Sequence, residues 1–351
     1  MAQTPREIVR RCLTFQHPER MPVQIWRLPW ADQHIPDVVA EVDRRWPGDL
    51  DGPPSPYRPS PRVHGTPYAE GEYVDEWGCT FLNLQAGVIG EVKAPLVADL
   101  DDWERLVQPP YETLPETLAA ARDSVNRACA ASDRFIMSGC CPRPWERYQF
   151  LRGTENAMMD FMDPDARVQG VLRRIHEFHL KELEFWASTD VDAISFMDDW
   201  GSQRQLLLPP RVWREWFKPL YQDYCDLARR HGKFVFMHSD GHLSEIFDDL
   251  IEVGVNALNS QLFCMDMADL ARRGKGKIAF WGEIDRQHVL PAKDSALGRW
   301  AVREVAKHLY DPAGGVFVQF EISPGAHGPT VIAVMEEWDA VQREHGICRP
   351  A

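Results

Sequence analysis

Short apolar runs rich in β-branched and aromatic residues recur along this chain, and most are separated by stretches whose apolar residues fall at helical spacing. Eight runs have strand character: Pro22–Trp26, Cys79–Leu84, Arg134–Gly139, Asp192–Met197, Lys233–His238, Asn256–Gln261, Lys277–Gly282 and Gly315–Glu321. Between them, Val168, Leu172, Ile175 and Phe178 predict a helix over Asp165–Ala187. A second helical pattern covers Pro210–His231, where Pro219 implies a kink or a break. A third, Leu243–Val253, is followed by Gly254, the residue type that closes helices. Strand–helix alternation implies parallel strands with right-handed crossovers. Eight such strands predict an α/β fold, a (β/α)8 TIM barrel with an N-terminal extension, as a single domain over 1–351. An open doubly wound sheet is the alternative.

Residues 47–67 interrupt the alternation with seven prolines in 21 residues. Such a run excludes regular helix and central strand. It reads as a surface excursion, or as a semi-rigid flap over the barrel mouth.

One strand run ends in chemistry. FVFMHSDGH carries Phe234, Phe236, His238 and Asp240 at alternate positions, hence on one face if the strand continues that far. That places an imidazole and a carboxylate at the C-terminal end of a barrel strand, where barrel enzymes carry their sites. His with Asp or Glu is a sound zinc set. A plain Asp-Gly turn with Asp240 as a helix cap is the competing reading. His242 follows the turn and is expected in solvent.

Composition narrows the partners. Lys plus Arg number 39 and Asp plus Glu 53, a formal charge of −14. So acidic a chain has no general attraction for nucleic acid or anionic membranes. The eight cysteines include no Cys-x-x-Cys pair, no signal-like apolar core opens the chain, and no apolar run of membrane-spanning length occurs. A reduced, cytoplasmic protein with mostly free thiols is expected.

Several segments together resemble the uroporphyrinogen decarboxylase superfamily, from about Ile8 onward. They are LRGTENAMMDFMDP (Leu151–Pro164), DVDAISFMDDWGSQ (Asp190–Gln203), the HSDGHLSEIFDDLIEVGVNALNSQ run after His238, and IAFWGEIDRQHVLP (Ile278–Pro291). More narrowly, the chain resembles the branch of corrinoid-dependent methyltransferases, such as the methylcobalamin:coenzyme M enzymes. In that branch the His and Cys of a His-x-Cys element bind zinc with a further ligand from the last barrel strand. The resemblance therefore implies metal ligation by His238, by Asp240 in place of the cysteine, and by Glu321, with His327 in reserve. A set without thiolate is harder and leaves zinc a stronger Lewis acid, suited to an oxygen-bearing substrate. Another divalent metal fits it too.

Other residues divide between roles. Asp198 and Asp199 are expected as general acid/base groups, or else as strand-end caps. Glu283 stands where the family usually has glycine, shares a strand face with Asp285, and is a further catalytic candidate. Trp200, Gln203, Asn259 and Gln261 are expected to bind substrate, though loop hydrogen bonding serves the polar three equally well. Among Arg143, Arg147 and Arg152, one is expected to hold a substrate carboxylate, Arg152 being the assigned candidate; surface ion pairing is the alternative. Of 13 tryptophans, Trp26, Trp30, Trp200 and Trp281 lie at or beside strands and are candidates to wall an aromatic pocket.

The leading expectation is a metal-dependent methyltransferase moving a methyl group between a small methoxy compound or thiol and a corrinoid on a partner protein. The chain itself has no Asp-x-His-x-x-Gly cobalamin motif. The alternatives are a decarboxylase of a small carboxylic acid, and a non-catalytic binding barrel. A decarboxylase of uroporphyrinogen would need more cations than IWRLPWADQH supplies, with only Arg27. A homodimer is a compatible assembly.

Overall fold

The computed structural model describes residues 2–163 and 165–347. Pro164, at the end of the Leu151–Pro164 segment, and Cys348 lie outside the described residues. Eleven strands are formed among the described residues: β1 (Val23–Arg27), β2 (Leu50–Asp51), β3 (Gly71–Val74), β4 (Thr80–Asn83), β5 (Glu91–Ala94), β6 (Phe135–Ile136), β7 (Ala193–Met197), β8 (Phe234–Ser239), β9 (Ala257–Ser260), β10 (Ala279–Phe280) and β11 (Val318–Ile322).

Eight of them are parallel. β7, β8, β9 and β10 pair in that order, β2 pairs β6, and β1 pairs β11 with Val23 opposite Val318. Parallel bridges at Met137–Ala193 and Phe280–Val316 connect β6 to β7 and β10 to the approach of β11. The Asp49 amide donates to the Val23 carbonyl at 2.8 Å, joining the approach of β2 to β1. This succession, with helices between strands, is consistent with a TIM barrel.

Two expectations about strands are corrected. Cys79–Leu84 does not supply a parallel strand; β4 lies in a separate antiparallel sheet, β3–β4–β5. Its alternating burial is what a half-solvated antiparallel strand shows, and sequence alternation alone does not separate the two cases. The position in the succession belongs instead to β2, inside the proline-rich segment. Leu50 and Asp51 sit in GDLDG, a proline-free interval just long enough to pair with β6.

The helices follow the sequence pattern closely. Ala166–Ala187 starts at Asp165, whose side chain accepts from the Arg167 and Val168 amides. The Pro219 region breaks into Pro210–Trp216 and Lys218–Arg230. The third helix is shorter than expected, Phe247–Val253, and Gly254 closes it at φ 109°. Among the parallel strands, Phe236, Phe317 and Trp281 form a cluster with Val9, Cys12 and Leu13 of the N-terminal helix Pro5–Leu13. This apolar floor lies beneath His238, as the alternation of β8 requires. Among the described residues, no helix is long and apolar enough to cross a membrane.

Candidate metal centre and active site

β8 carries His238 to the C-terminal end of the parallel strands, opposite Asn259 on β9. His238 Nδ1 lies 2.6 Å from Asn259 Oδ1. The Asn259 amide nitrogen donates to the Trp281 carbonyl and, at 2.8 Å, to Gln319 Oε1. A backbone carbonyl only accepts, so the amide orientation is fixed and Asn259 Oδ1 must be the acceptor. His238 Nδ1 therefore bears a proton, and Nε2 is the ring nitrogen that can offer a lone pair to a metal.

That Nε2 faces two carboxylates, Asp240 Oδ1 at 3.5 Å and Asp199 Oδ1 at 3.6 Å. Glycines bring the carboxylates together. The loops after β7 and β8 pack backbone against backbone at Gly201 and Gly241, where a Cβ on Gly241 would fall 2.1 Å from the Gly201 carbonyl oxygen. Gly241 also has φ +80°. The Gly201 amide donates to the Asp240 carbonyl at 3.0 Å, and the Asp240 amide to Asp199 Oδ1 at 2.9 Å.

Arg286 holds the far side of Asp240. Its guanidinium bonds Asp240 Oδ2 and lies 3.5 Å from both Glu283 Oε2 and Glu321 Oε1. Asp240 Oδ1 stays buried without a hydrogen-bond partner among the described residues. Burial raises the pKa of Asp240 and of Glu321. Glu283 is 1% exposed, neither of its carboxyl oxygens has a hydrogen-bond partner among the described residues, and burial pushes it up to about 8. Glu146, on the helix Pro144–Arg152, is pushed up by burial to about 7.

The Glu283 shift has a stability consequence. A carboxyl whose folded pKa is raised binds its proton in the folded chain at pH values where the unfolded chain has lost it. Stability therefore falls as pH rises from the unfolded value, about 4.3, toward 8. Metal-free Glu283→Gln protein should unfold like wild type near pH 4.5. By pH 8 it should be more stable, by roughly 1–3 kcal/mol after allowance for relaxation. Urea melts across this range check it; parallel curves would mean that Glu283 ionises freely.

The three donor atoms of Asp199, His238 and Asp240 lie within 4.8 Å of one another. Zinc bound to nitrogen and oxygen at about 2.0–2.2 Å in a tetrahedron needs ligand separations of about 3.4 Å. The separations of 3.5 and 3.6 Å from His238 Nε2 fit that requirement. So do the orphaned Asp240 Oδ1 and the pinned imidazole.

Other expected site residues lie elsewhere. Glu321 is outside this tight trio and faces Arg286. Asp198 is fully buried; it accepts from the Trp145 and Glu146 amides and the Tyr221 hydroxyl, each at 2.7 Å. It ties the Pro144–Arg152 helix to the end of β7, and no face is left for acid–base work. Trp200 is also core: it is stacked on Trp145 at 5.4 Å and donates to Tyr221. Arg152 is not free for substrate, because it holds Asp160 at 2.7 and 3.0 Å and bonds the Val97 and Ala98 carbonyls. Asn259 is buried behind His238 rather than facing substrate. Gln203 and Gln261 bond each other at 3.0 Å and line a small cavity with Glu283, Asp285 and Arg286. His327 engages Thr330, and His242 is half-buried rather than in solvent.

A cavity of about 830 Å3 opens beside His238, lined by Trp26, Arg143, His238, Trp281 and Glu321 among others. Trp26 meets the His238 ring edge-on at 5.3 Å and Trp281 at 5.0 Å. Of the expected aromatic walls these two are present, whereas Trp30 stacks on His34. Arg286 and Glu146 were not singled out in the sequence. Arg286 directly follows the Glu-Ile-Asp of a motif already in view, but neither residue has a pattern that sets it apart from a surface charge.

A family model described as "Uroporphyrinogen decarboxylase (URO-D)" matches residues 75–325. Uroporphyrinogen decarboxylase 1, chloroplastic, of Oryza sativa subsp. japonica is 26% identical over 122 residues, 34% of this chain and 28% of that protein. The chain thus matches little more than a quarter of the length of this curated relative. A solved structure described as a methyltransferase from Methanosarcina mazei superposes with a TM-score of 0.64 at 14% identity, covering 96% of this chain and 99% of that one. At that identity the likeness speaks for the fold.

Proposed function

We propose that this chain, which belongs to the uroporphyrinogen decarboxylase family, uses one divalent metal ion to move a methyl group between a small substrate and a corrinoid carried by a partner protein. The ring of parallel strands is read as a closed barrel whose open rim receives that partner. Zinc is the first candidate metal, with His238, Asp240 and Asp199 as its ligands. The observation that carries the reading is His238 Nε2 set between two carboxylates, its ring pinned from behind by Asn259. The fold shared with the Methanosarcina mazei methyltransferase supports it. The free thiols among the described residues suit a reducing cytoplasm.

When bound, the metal supplies Lewis acidity toward the oxygen or sulfur of the methylated group. The chain's own residues do the rest. Asn259 keeps the proton on His238 Nδ1. Arg286 occupies Asp240 Oδ2 and so leaves Oδ1 as the ligand atom. Trp26 and Trp281 keep water from one side of the imidazole. Burial pushes Glu146 and Glu283 up to about 7 and about 8, which makes them the carboxyls able to hold a proton near neutral pH.

Two experiments test this. Zinc-loaded protein mixed with methylcobalamin and a thiol or phenol acceptor should consume methylcobalamin, and chelation should abolish turnover. Absence of bound metal together with CO2 release from small carboxylic acids would favour the decarboxylase reading, which the rice relative and the half-buried Arg286 support. Inactivity in both assays would leave a binding barrel. Asn259→Ala, which leaves all three ligands in place, should weaken zinc roughly 10–100-fold. Titration against a chelator reads that loss, and unchanged affinity would contradict the orienting role.

A further inference from the structure

A second cavity, of about 730 Å3, adjoins the one above His238; Ile89, Cys141 and Arg143 line both. One wall is the proline-rich excursion, through Ser55 and Tyr57–Ser60. Much of the remainder is aromatic, including Tyr73, Trp77, Phe81, Phe150 and Phe178. Flat rings pack best in such surroundings, edge-to-face or offset.

The charges in this cavity are mostly paired. Arg147 takes Asp75 and Glu76, Arg58 takes Glu116, and His179 takes Glu182. Arg143 is the exception. Its Nη2 faces Met197 Sδ at 2.9 Å and Cys141 Sγ at 3.6 Å, both weak acceptors. Its nearest carboxylate oxygen in an ion pair is Glu146 Oε2, at 3.8 Å, beyond hydrogen-bond range. The side chain keeps 28% exposure, and it lines both cavities. A planar fork of five donors with no oxygen partner among the described residues matches a carboxylate in two parallel hydrogen bonds. On the Pro144–Arg152 helix that Arg143 precedes, Arg147 and Arg152 both have such partners within the protein.

We propose that Arg143 anchors the carboxylate of an aromatic acid whose ring fills the cavity walled by Tyr57, Trp77 and Phe178. This does not draw on the proposed function, because Arg143 lines both cavities while Tyr57, Trp77 and Phe178 line only the second and His238 only the first. The anchor itself is separate from the metal ligands. The proline-rich excursion then belongs to the substrate site as a wall.

The probes are 4-methoxybenzoate and its uncharged counterpart 4-methoxybenzamide, titrated calorimetrically into the full chain. The acid should bind at least about tenfold tighter than the amide, the size of effect one charge-assisted pair gives. Arg143→Met should lose that preference, and Arg143→Lys should keep part of it. The Lys variant also carries the comparison if the Met variant fails to fold. Acetate at equal concentration should not displace the acid. The same preference should survive in His238→Ala protein, so that undiminished methyl transfer with retained acid preference in that variant overturns the metal-site reading and leaves the anchor standing. Equal affinity for acid and amide, no binding of either, or full preference in Arg143→Met would overturn the anchor.

Discussion

His238→Ala protein should emerge from purification with about a tenth or less of the wild-type metal, and its methyl transfer should fall roughly a thousandfold. Removing the one neutral nitrogen ligand leaves two carboxylates, Asp199 and Asp240, facing each other across the gap. Two carboxylates without an imidazole form a weaker, harder site. The rate loss corresponds to several kcal/mol of transition-state stabilisation, the scale of a Lewis acid's contribution. Elemental analysis and the methylcobalamin assay read the two quantities. Full metal content with full turnover would mean that the metal sits elsewhere.

Asp198→Ala should act on stability. Three donors lose their acceptor: two backbone amides at the start of the Pro144–Arg152 helix and the Tyr221 hydroxyl. Each orphaned buried donor costs about 1–3 kcal/mol. With partial relaxation the total is on the order of 4 kcal/mol. The urea midpoint should drop accordingly, and surviving folded protein should retain metal. Asp198→Asn, which keeps one acceptor oxygen, should lose less. An Asp198→Ala protein with wild-type stability and no turnover would restore Asp198 to the chemistry.

The contrast between Asp198 and Asp199 marks where sequence reading runs out. Neighbours on a strand end point to opposite sides, and the sequence does not say which side is core. Asp198 turns toward the aromatic layer of Trp145, Trp200 and Tyr221; Asp199 turns toward His238. Trp200 and Arg152 differ from expectation for a related reason: a large ring or a guanidinium at a strand or helix end looks available until a partner that no periodic pattern marks, Tyr221 or Asp160, is folded onto it. His238 and Asp240 were legible because period-two spacing and an Asp-Gly turn are local. The succession of parallel strands was legible for seven of the eight expected runs. β2 escaped because two residues between prolines carry no periodic signal, and β4 took its place because alternation cannot reveal which sheet a strand joins.

Glu321 was expected as the distal ligand from the last strand, and Asp199 stands in the trio instead. Glu321 faces Arg286, whose guanidinium lies 3.5 Å from its Oε1 and also bonds Asp240.

Zinc K-edge X-ray absorption on the purified full chain tests the central claim most directly. The expected spectrum has only nitrogen and oxygen neighbours at about 2.0–2.2 Å, with an imidazole signature that His238→Ala removes. A sulfur shell near 2.3 Å, or an imidazole signature that survives the substitution, would contradict ligation by His238, Asp240 and Asp199.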